Sequence, residues 1–321
     1  MANILVTGGL GFIGSNWILN NLNGNFIVNI DANRDGSDLR NLQSIENNDN
    51  YELLVRDICA VTHEKIKARF TPDYIVHFAA ESHVDRSITD PLAFVKTNVM
   101  GTANMLEIAR HFGCRFLHVS TDEVFGHLGI DDEPFDETTP YAPRSPYSAS
   151  KASSDHLVRA YHETYGLDVV ITNCCNNYGP RQFPEKLIPV IIKKALNEEP
   201  IPVYGDGMNI REWIYVEDHN DAITKVLFSG KSGETYCIGS DVEMNNITLV
   251  KLICERLDHN LSRAEGKYED LITFVGDRPG HDMRYAIDST KVRNTMDWLP
   301  SNEFSEGIDK TIQWYIKEFT K

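Results

Sequence analysis

Short apolar runs rich in β-branched residues punctuate the first half of the chain: NILVT from Asn3, FIVNID from Phe26, YELLV from Tyr51, YIVHFAA from Tyr74, FLHVS from Phe116 and VVITNC from Val169. Between them lie stretches with apolar residues at helical spacing, notably Pro91 to Phe112 and Pro146 to Tyr165. Each of these opens on a proline, whose fixed φ and missing N–H suit a first helical turn. Near-continuous apolar runs mark strands covered on both faces. Strand and helix in alternation predict an α/β fold, a doubly wound parallel sheet assembled from βαβ units.

Past about residue 178 the pattern changes. PVYGDG, REWIYV and TYCIG are short, and proline and glycine are denser around them. This predicts a smaller mixed α/β C-terminal domain over 179–321, binding substrate against a first domain of 1–178, with segments exchanged between the two. A cleft is expected where they meet, outside the carboxyl ends of the parallel strands. There is no internal repeat and no low-complexity segment.

Composition acts mainly by exclusion. The 321 residues carry 47 acidic against 31 basic side chains, a formal charge of -16, which argues against a nucleic-acid partner. The 6 cysteines have no C-x-x-C spacing and sit in or beside apolar runs, so buried free thiols in a reducing compartment are expected rather than disulfides or a metal. No apolar stretch approaches the roughly 20 residues of a membrane span. A strand-like run begins at Asn3 without a charged leader, so a cytoplasmic protein is expected.

Three motifs carry chemistry. VTGGLGFIGSN, at the end of the first strand, sets Gly8, Gly11 and Gly14 at three-residue spacing before a helix. Glycines there allow a tight turn and close approach of the backbone to a pyrophosphate at a helix N-terminus, so the sheet is expected to be of the Rossmann type. Asp31 closes the second strand, where a carboxylate bonds ribose hydroxyls and repels a 2′-phosphate, favouring NAD. Arg34 reads as an exposed arginine in a polar loop. SPYSASK places Tyr147 and Lys151 four apart on one helix face, behind a Ser145 cap and Pro146. The ammonium, together with a bound nicotinamide cation, is expected to lower the phenol pKa and make Tyr147 a base. STDEVFG sets Asp122 and Glu123 side by side where a buried strand ends, and two such carboxyls resist ionising together.

With these motifs the chain resembles the extended short-chain dehydrogenase/reductases, and within them the nucleoside-diphosphate-glucose 4,6-dehydratases, most of all those taking a thymidine nucleotide. HFAAESHVDRSI, STDEVFG, YSASKASSDHLVRAYHETYG, NNYGP, FPEKLIP, YGDG, REWIYVEDH and DRPGHDMRYAID carry the likeness over nearly the whole chain. The resemblance implies a resident NAD, a nucleotide-sugar substrate, a homodimer built on the two long helices, and no metal. It implies that Thr121, Tyr147 and Lys151 serve C4 oxidation, with Thr121 also touching substrate. Asp122 would be the acid and Glu123 the base of water loss. It further implies cofactor contacts from Phe12, Ile13, Asp57, Ile58, Ala79, Ala80, Thr97, Tyr147, Lys151 and Asn177. Substrate contacts are implied at Ser82, Asn176, Lys186, Leu187, Pro202, Tyr204, Arg211, Asn246, Arg278 and His281. Phe125 stands where the family often has tyrosine, which predicts one hydroxyl fewer beside the acids.

Thymidine and uridine differ by one methyl, and the sequence leaves that choice open, as it does glucose against an N-acetylated sugar. A nucleotide-sugar 4-epimerase needs Tyr147 and Lys151 but neither acid. A silent NAD-binding scaffold needs none of the four.

Overall fold

The computed structural model describes residues 1–261, 263, 265–277 and 281–320. Ala2–Thr7 (β1), Asn25–Asp31 (β2), Tyr51–Val55 (β3), Tyr74–His77 (β4), Arg115–Thr121 (β5) and Val169–Cys174 (β6) fall on the six apolar runs. Asn176–Tyr178 (β7), Ile201–Tyr204 (β8), Ile210–Tyr215 (β9), Thr235–Ile238 (β10), Glu243–Asn245 (β11) and Ile272–Val275 (β12) follow. The large sheet runs β10-β6-β5-β4-β1-β2-β3, with every neighbouring pair parallel. Its order reverses beside β1, which is where such sheets open a ligand crevice.

Alternation along each strand feeds two cores. Ile4 and Val6 join Trp17, Ile18, Leu117 and Val119 on one face of the sheet. Leu5 joins Val28, Ile75, Met105, Phe116 and Ile171 on the other. A third core, around Ile191, Ile192, Trp213, Ile253 and Ile312, holds the smaller lobe together. There β9 lies between β7 and β11, and β8 pairs with β12.

Three elements depart from the sequence expectation. TYCIG forms β10 and extends the large parallel sheet beside β6, because all four of its residues are buried on both faces. YIVHFAA leaves the sheet after His77, since a Cβ on Gly8 would stand 2.6 Å from the Ala79 nitrogen and the two backbones must cross there. The 91–112 stretch is helical throughout but contains a π segment, Val95–Gly101, between Pro91–Phe94 and Thr102–Phe112. Asn98 in that segment is buried and donates to the Ser150 hydroxyl at 2.8 Å, tying it to the Pro146–Tyr165 helix. Such π turns cluster at functional sites.

That second helix matches its prediction at both ends. The Ser145 hydroxyl accepts from Ser148 N–H in a capping box with Pro146 at the first turn, and Gly166, at φ 66°, ends it in the left-handed conformation. All six thiols are free; Cys59 is half-buried and the other five are buried. Among the described residues no helix is long and apolar enough to cross a membrane.

One carboxylate fastens the smaller lobe to its loops. Glu212 on β9 is 1% exposed and accepts from the backbone N–H groups of Ser240, Asp241 and Ile287 at 2.5, 2.9 and 2.7 Å. Glu212→Ala removes the acceptor of three backbone N–H groups, that of Ile287 buried, so it should cost about 2 kcal/mol or more of stability, read as a lower midpoint in urea. A midpoint within error of wild type would remove that role.

Candidate active site

The cleft lies at the carboxyl ends of β1, β4, β5 and β6 and reaches across to the smaller lobe. Its nucleotide end is lined by Gly8, Gly11, Phe12, Ile13, Gly14, Asp31, Asp57, Ile58, Ala79, Ala80 and Thr97. The glycines are required by space. A Cβ on Gly14 would meet Gly8 O at 2.5 Å, and Gly8 itself has φ +73°. The cradle therefore admits only a bare backbone beside the helix that opens at Phe12, as a pyrophosphate demands. Asp31 is buried and already accepts from Leu10 N–H at 2.9 Å, Asn33 N–H at 2.8 Å and the Ser37 hydroxyl at 2.9 Å. Those bonds hold both its oxygens at the cleft wall. Arg34, in the exposed loop, pairs with Asp57 at 2.8 Å.

The reactive end is built by β5 and the turn that follows it. Thr121 ends the strand and caps Asp122–Phe125, its hydroxyl accepting from Glu123 N–H at 3.3 Å and donating to Asp122 Oδ1 at 3.1 Å. This turn sends Asp122 and Glu123 to the cleft and Val124 and Phe125 into the core. Phe125 packs on the Phe135 and Tyr141 rings, each centroid 5.2 Å away, so the expected loss of a hydroxyl beside the acids is corrected: its ring faces the core.

Asp122 is 2% exposed. Burial first, then the charges of Glu123 and Glu212, push its carboxyl up to about 8 against the bond from Thr121. It is the neutral member of the pair at neutral pH, a stored proton beside a half-buried Glu123.

Tyr147 and Lys151 line the same cleft. Lys151 Nζ donates to Val119 O at 2.8 Å, and burial pushes its ammonium down to about 8. The expected lowering of the Tyr147 phenol is not a property of the chain alone. Burial, then the Glu123 charge, raise it well above 10, and a bond with Thr121 opposes them. Only an added cation in the cleft can reverse that balance.

Of the remaining site residues, Ser82, Asn176, Asn177, Lys186 and Leu187 line the cleft. Lys186 Nζ donates to Ser82 O at 2.9 Å, linking the lobes across the mouth. Pro202, Tyr204, Arg211, Asn246 and His281 belong to the smaller lobe and are not part of this lining, though the Arg211 charge acts on Asp122. Arg211 is buried over the Tyr285 ring and donates to Ile210 O at 2.6 Å and Asp282 O at 2.9 Å, while His281 Nδ1 lies 2.7 Å from Asp277 Oδ1. Arg278 lies outside the described residues. Among those described, no three His, Cys, Asp or Glu side chains are grouped to hold a metal.

The sequence reading missed Cys174, Cys175 and Trp213, which line the cleft, and His118 and Asp155, buried directly behind Lys151. Asp155 had a signal: it stands four residues beyond Lys151, on the face shared with Tyr147.

A Rossmann sheet with a Tyr-x-x-x-Lys helix at its carboxyl edge and a second lobe closing the cleft defines an enzyme of the extended short-chain dehydrogenase/reductase class. The profile described as GDP-mannose 4,6 dehydratase matches residues 5–311, and the chain belongs to that family. It is 50% identical over its full length to dTDP-glucose 4,6-dehydratase of Neisseria meningitidis serogroup B, covering 95% of that relative. It is 49% identical to the Escherichia coli protein of the same name, over 98% of this chain and 93% of that one. Among solved structures, dTDP-glucose 4,6-dehydratase DesIV from Streptomyces venezuelae, with NAD and TYD bound, superposes at TM-score 0.91 and 40% identity, covering 98% and 97% of the two chains. UDP-glucose 4-epimerase of Thermotoga maritima superposes at 0.88 with 27% identity, covering 98% and 99%. The fold is thus common to both chemistries, and the side chains must separate them.

A carboxyl held neutral by burial destabilises the fold once the unfolded chain can ionise it. That cost is absent below the reference value near 3.8 and grows as pH rises towards about 8. Asp122→Asn should therefore raise the melting temperature at mildly alkaline pH, with the gain vanishing in acid. A gain independent of pH would contradict the neutral carboxyl.

Proposed function

We propose that this protein is an NAD-dependent nucleotide-sugar 4,6-dehydratase, a hydro-lyase converting dTDP-glucose to dTDP-4-keto-6-deoxyglucose and water. The observation that carries the reading is the buried Asp122 beside Glu123 in the cleft that also holds Tyr147 and Lys151. An epimerase has no use for a stored proton and a second base at that place. The names of the relatives at about half identity supply the thymidine nucleotide and glucose. On this reading residues 1–178 bind NAD and carry the catalytic groups, and 179–321 mainly hold the sugar nucleotide.

The glycine cradle, Asp31 and the walls formed by Ile58, Ala79, Ala80 and Asn177 would hold NAD, which would supply the hydride acceptor and donor for oxidation at sugar C4 and reduction at C6. Tyr147, with Lys151 and Thr121, takes the C4 hydroxyl proton as the ketone forms. The 4-ketone acidifies the C5 proton, and Glu123 removes it. Asp122 delivers its proton to the C6 hydroxyl, so the C6–O bond breaks and water leaves with a C5–C6 double bond behind. As C6 is reduced, Glu123 returns a proton to C5. The proton that Tyr147 took from the C4 hydroxyl passes through solvent to Asp122, so both groups return to their starting states and the atoms balance as loss of one water, with no net oxidation.

The protein would act as a homodimer. Ile88, Leu92 at 75% exposure, Val95 and Met100 at 60% are exposed apolar residues close together along the 88–100 segment, and a partner subunit would cover them. Free thiols throughout fit a cytoplasmic setting.

Incubation with dTDP-glucose, UDP-glucose and UDP-N-acetylglucosamine should give loss of one water by mass spectrometry, fastest with dTDP-glucose; inversion at C4 without water loss would overturn the reading. Glu123→Gln should abolish exchange of the C5 proton with deuterated solvent, cutting turnover by about a hundredfold or more. Leu92→Glu should shift the light-scattering mass from dimer to monomer, and a wild-type monomer would dismiss the stripe as an interface.

A further inference from the structure

We propose that Asp155, acting with His118, is a positioning residue for Lys151: the buried counter-charge that keeps the ammonium seated on the Val119 carbonyl. Its consequence for turnover rests on the dehydratase reading above, but its geometry does not. Tyr147, Lys151 and Asp155 fall at successive four-residue steps of the Pro146–Tyr165 helix and so share one face. Lys151 is 4% exposed and Asp155 wholly buried. Between them stands the His118 ring of β5, also wholly buried, with Nε2 3.4 Å from Lys151 Nζ and 3.2 Å from Asp155 Oδ1.

A single ring nitrogen cannot donate to the carboxylate and accept from the ammonium at once. Lys151 already has its acceptor in Val119 O at 2.8 Å. Asp155 Oδ2 accepts from the Ser120 hydroxyl at 2.9 Å, the Tyr141 hydroxyl at 2.8 Å and the Asn173 amide at 3.3 Å, whereas His118 is what faces Oδ1. Oδ1 has no hydrogen bond in this arrangement although Nε2 stands 3.2 Å from it, so we place the proton on Nε2, leaving His118 a neutral ring whose N–H faces Asp155. Burial agrees, pushing the ring down to about 4.

The ammonium needs this support. Burial outweighs the Asp155 charge, then the Cys174 thiol, which pull it up, and leaves it at about 8. Asp155 stays ionised because bonds from His118 and Tyr141 and the Lys151 charge outweigh the burial that would raise it. The other groups facing this pocket are Tyr147 and Arg159 on the same helix, Cys174 on β6, and His77 on β4, whose ring stacks on His118 at 5.4 Å. Asp155 is the anion among them that lies behind Lys151 rather than in the reaction cleft. Since Val119 lies two residues before Thr121, seating Nζ there fixes Lys151 relative to the strand that carries the acids.

Two measurements on the NAD-loaded, full-length protein without substrate test this. Nitrogen-15 NMR of unmutated His118 should show the neutral Nε2–H tautomer across neutral pH. The lysine side-chain resonance assigned through Lys151→Arg should titrate about one pH unit lower in Asp155→Asn. Tyr141→Phe, which removes a bond to Asp155 but no charge, should move it far less. An Nδ1–H tautomer, or a Lys151 midpoint unchanged by Asp155→Asn, overturns the proposal. The tautomer decides even if the Asn variant fails to fold. Neither readout depends on turnover, so a protein that leaves dTDP-glucose untouched would defeat the proposed reaction and not this assignment.

Discussion

The cost of taking ionisable groups out of water governs the carboxyl end of β5. Asp122, Tyr147, Lys151, His118 and Asp155 are all buried within one strand end and one helix face. Water would level their acidities towards ordinary values; burial spreads them apart. The same desolvation keeps the Asp122 carboxyl and the Tyr147 phenol protonated and weakens the Lys151 ammonium. Chemistry needing an acid, a base and a poised phenol within one cleft follows from that spread, and the fold exists to hold the groups there.

Each layer of the structure serves that position. The parallel sheet delivers β5 to the switch in strand order, the capping box at Ser145 fixes where the Tyr147 helix begins, and β9 closes the cleft from the smaller lobe. Glu212 connects the layers: it fastens the loops of the smaller lobe and its charge helps raise Asp122. Epimerase and dehydratase neighbours share the scaffold, so the fold by itself does not separate the two chemistries.

Much of this was legible because it is local. Apolar runs located β1 to β6 within a residue or so at most ends, and glycine spacing and Tyr-x-x-x-Lys marked both ends of the cleft. What the sequence hid depends on burial and on contacts between distant segments. TYCIG looks like a strand of the smaller lobe until its pairing with β6 is seen. Phe125 is adjacent to the acids in sequence, yet a tight turn points it the other way. The direction of the Tyr147 shift required knowing that Lys151 donates to a carbonyl while Glu123 faces the phenol. His118 and Asp155 lie 37 positions apart in sequence and meet only in the folded chain.

The central claim is that Asp122 carries a proton at neutral pH while it stands beside Glu123. Infrared difference spectroscopy between wild type and Asp122→Asn reads this directly, without substrate. The account predicts a carboxylic-acid carbonyl band at neutral pH that converts to a carboxylate band only as the solution becomes alkaline. A carboxylate band at neutral pH, with no acid band to lose, would contradict it.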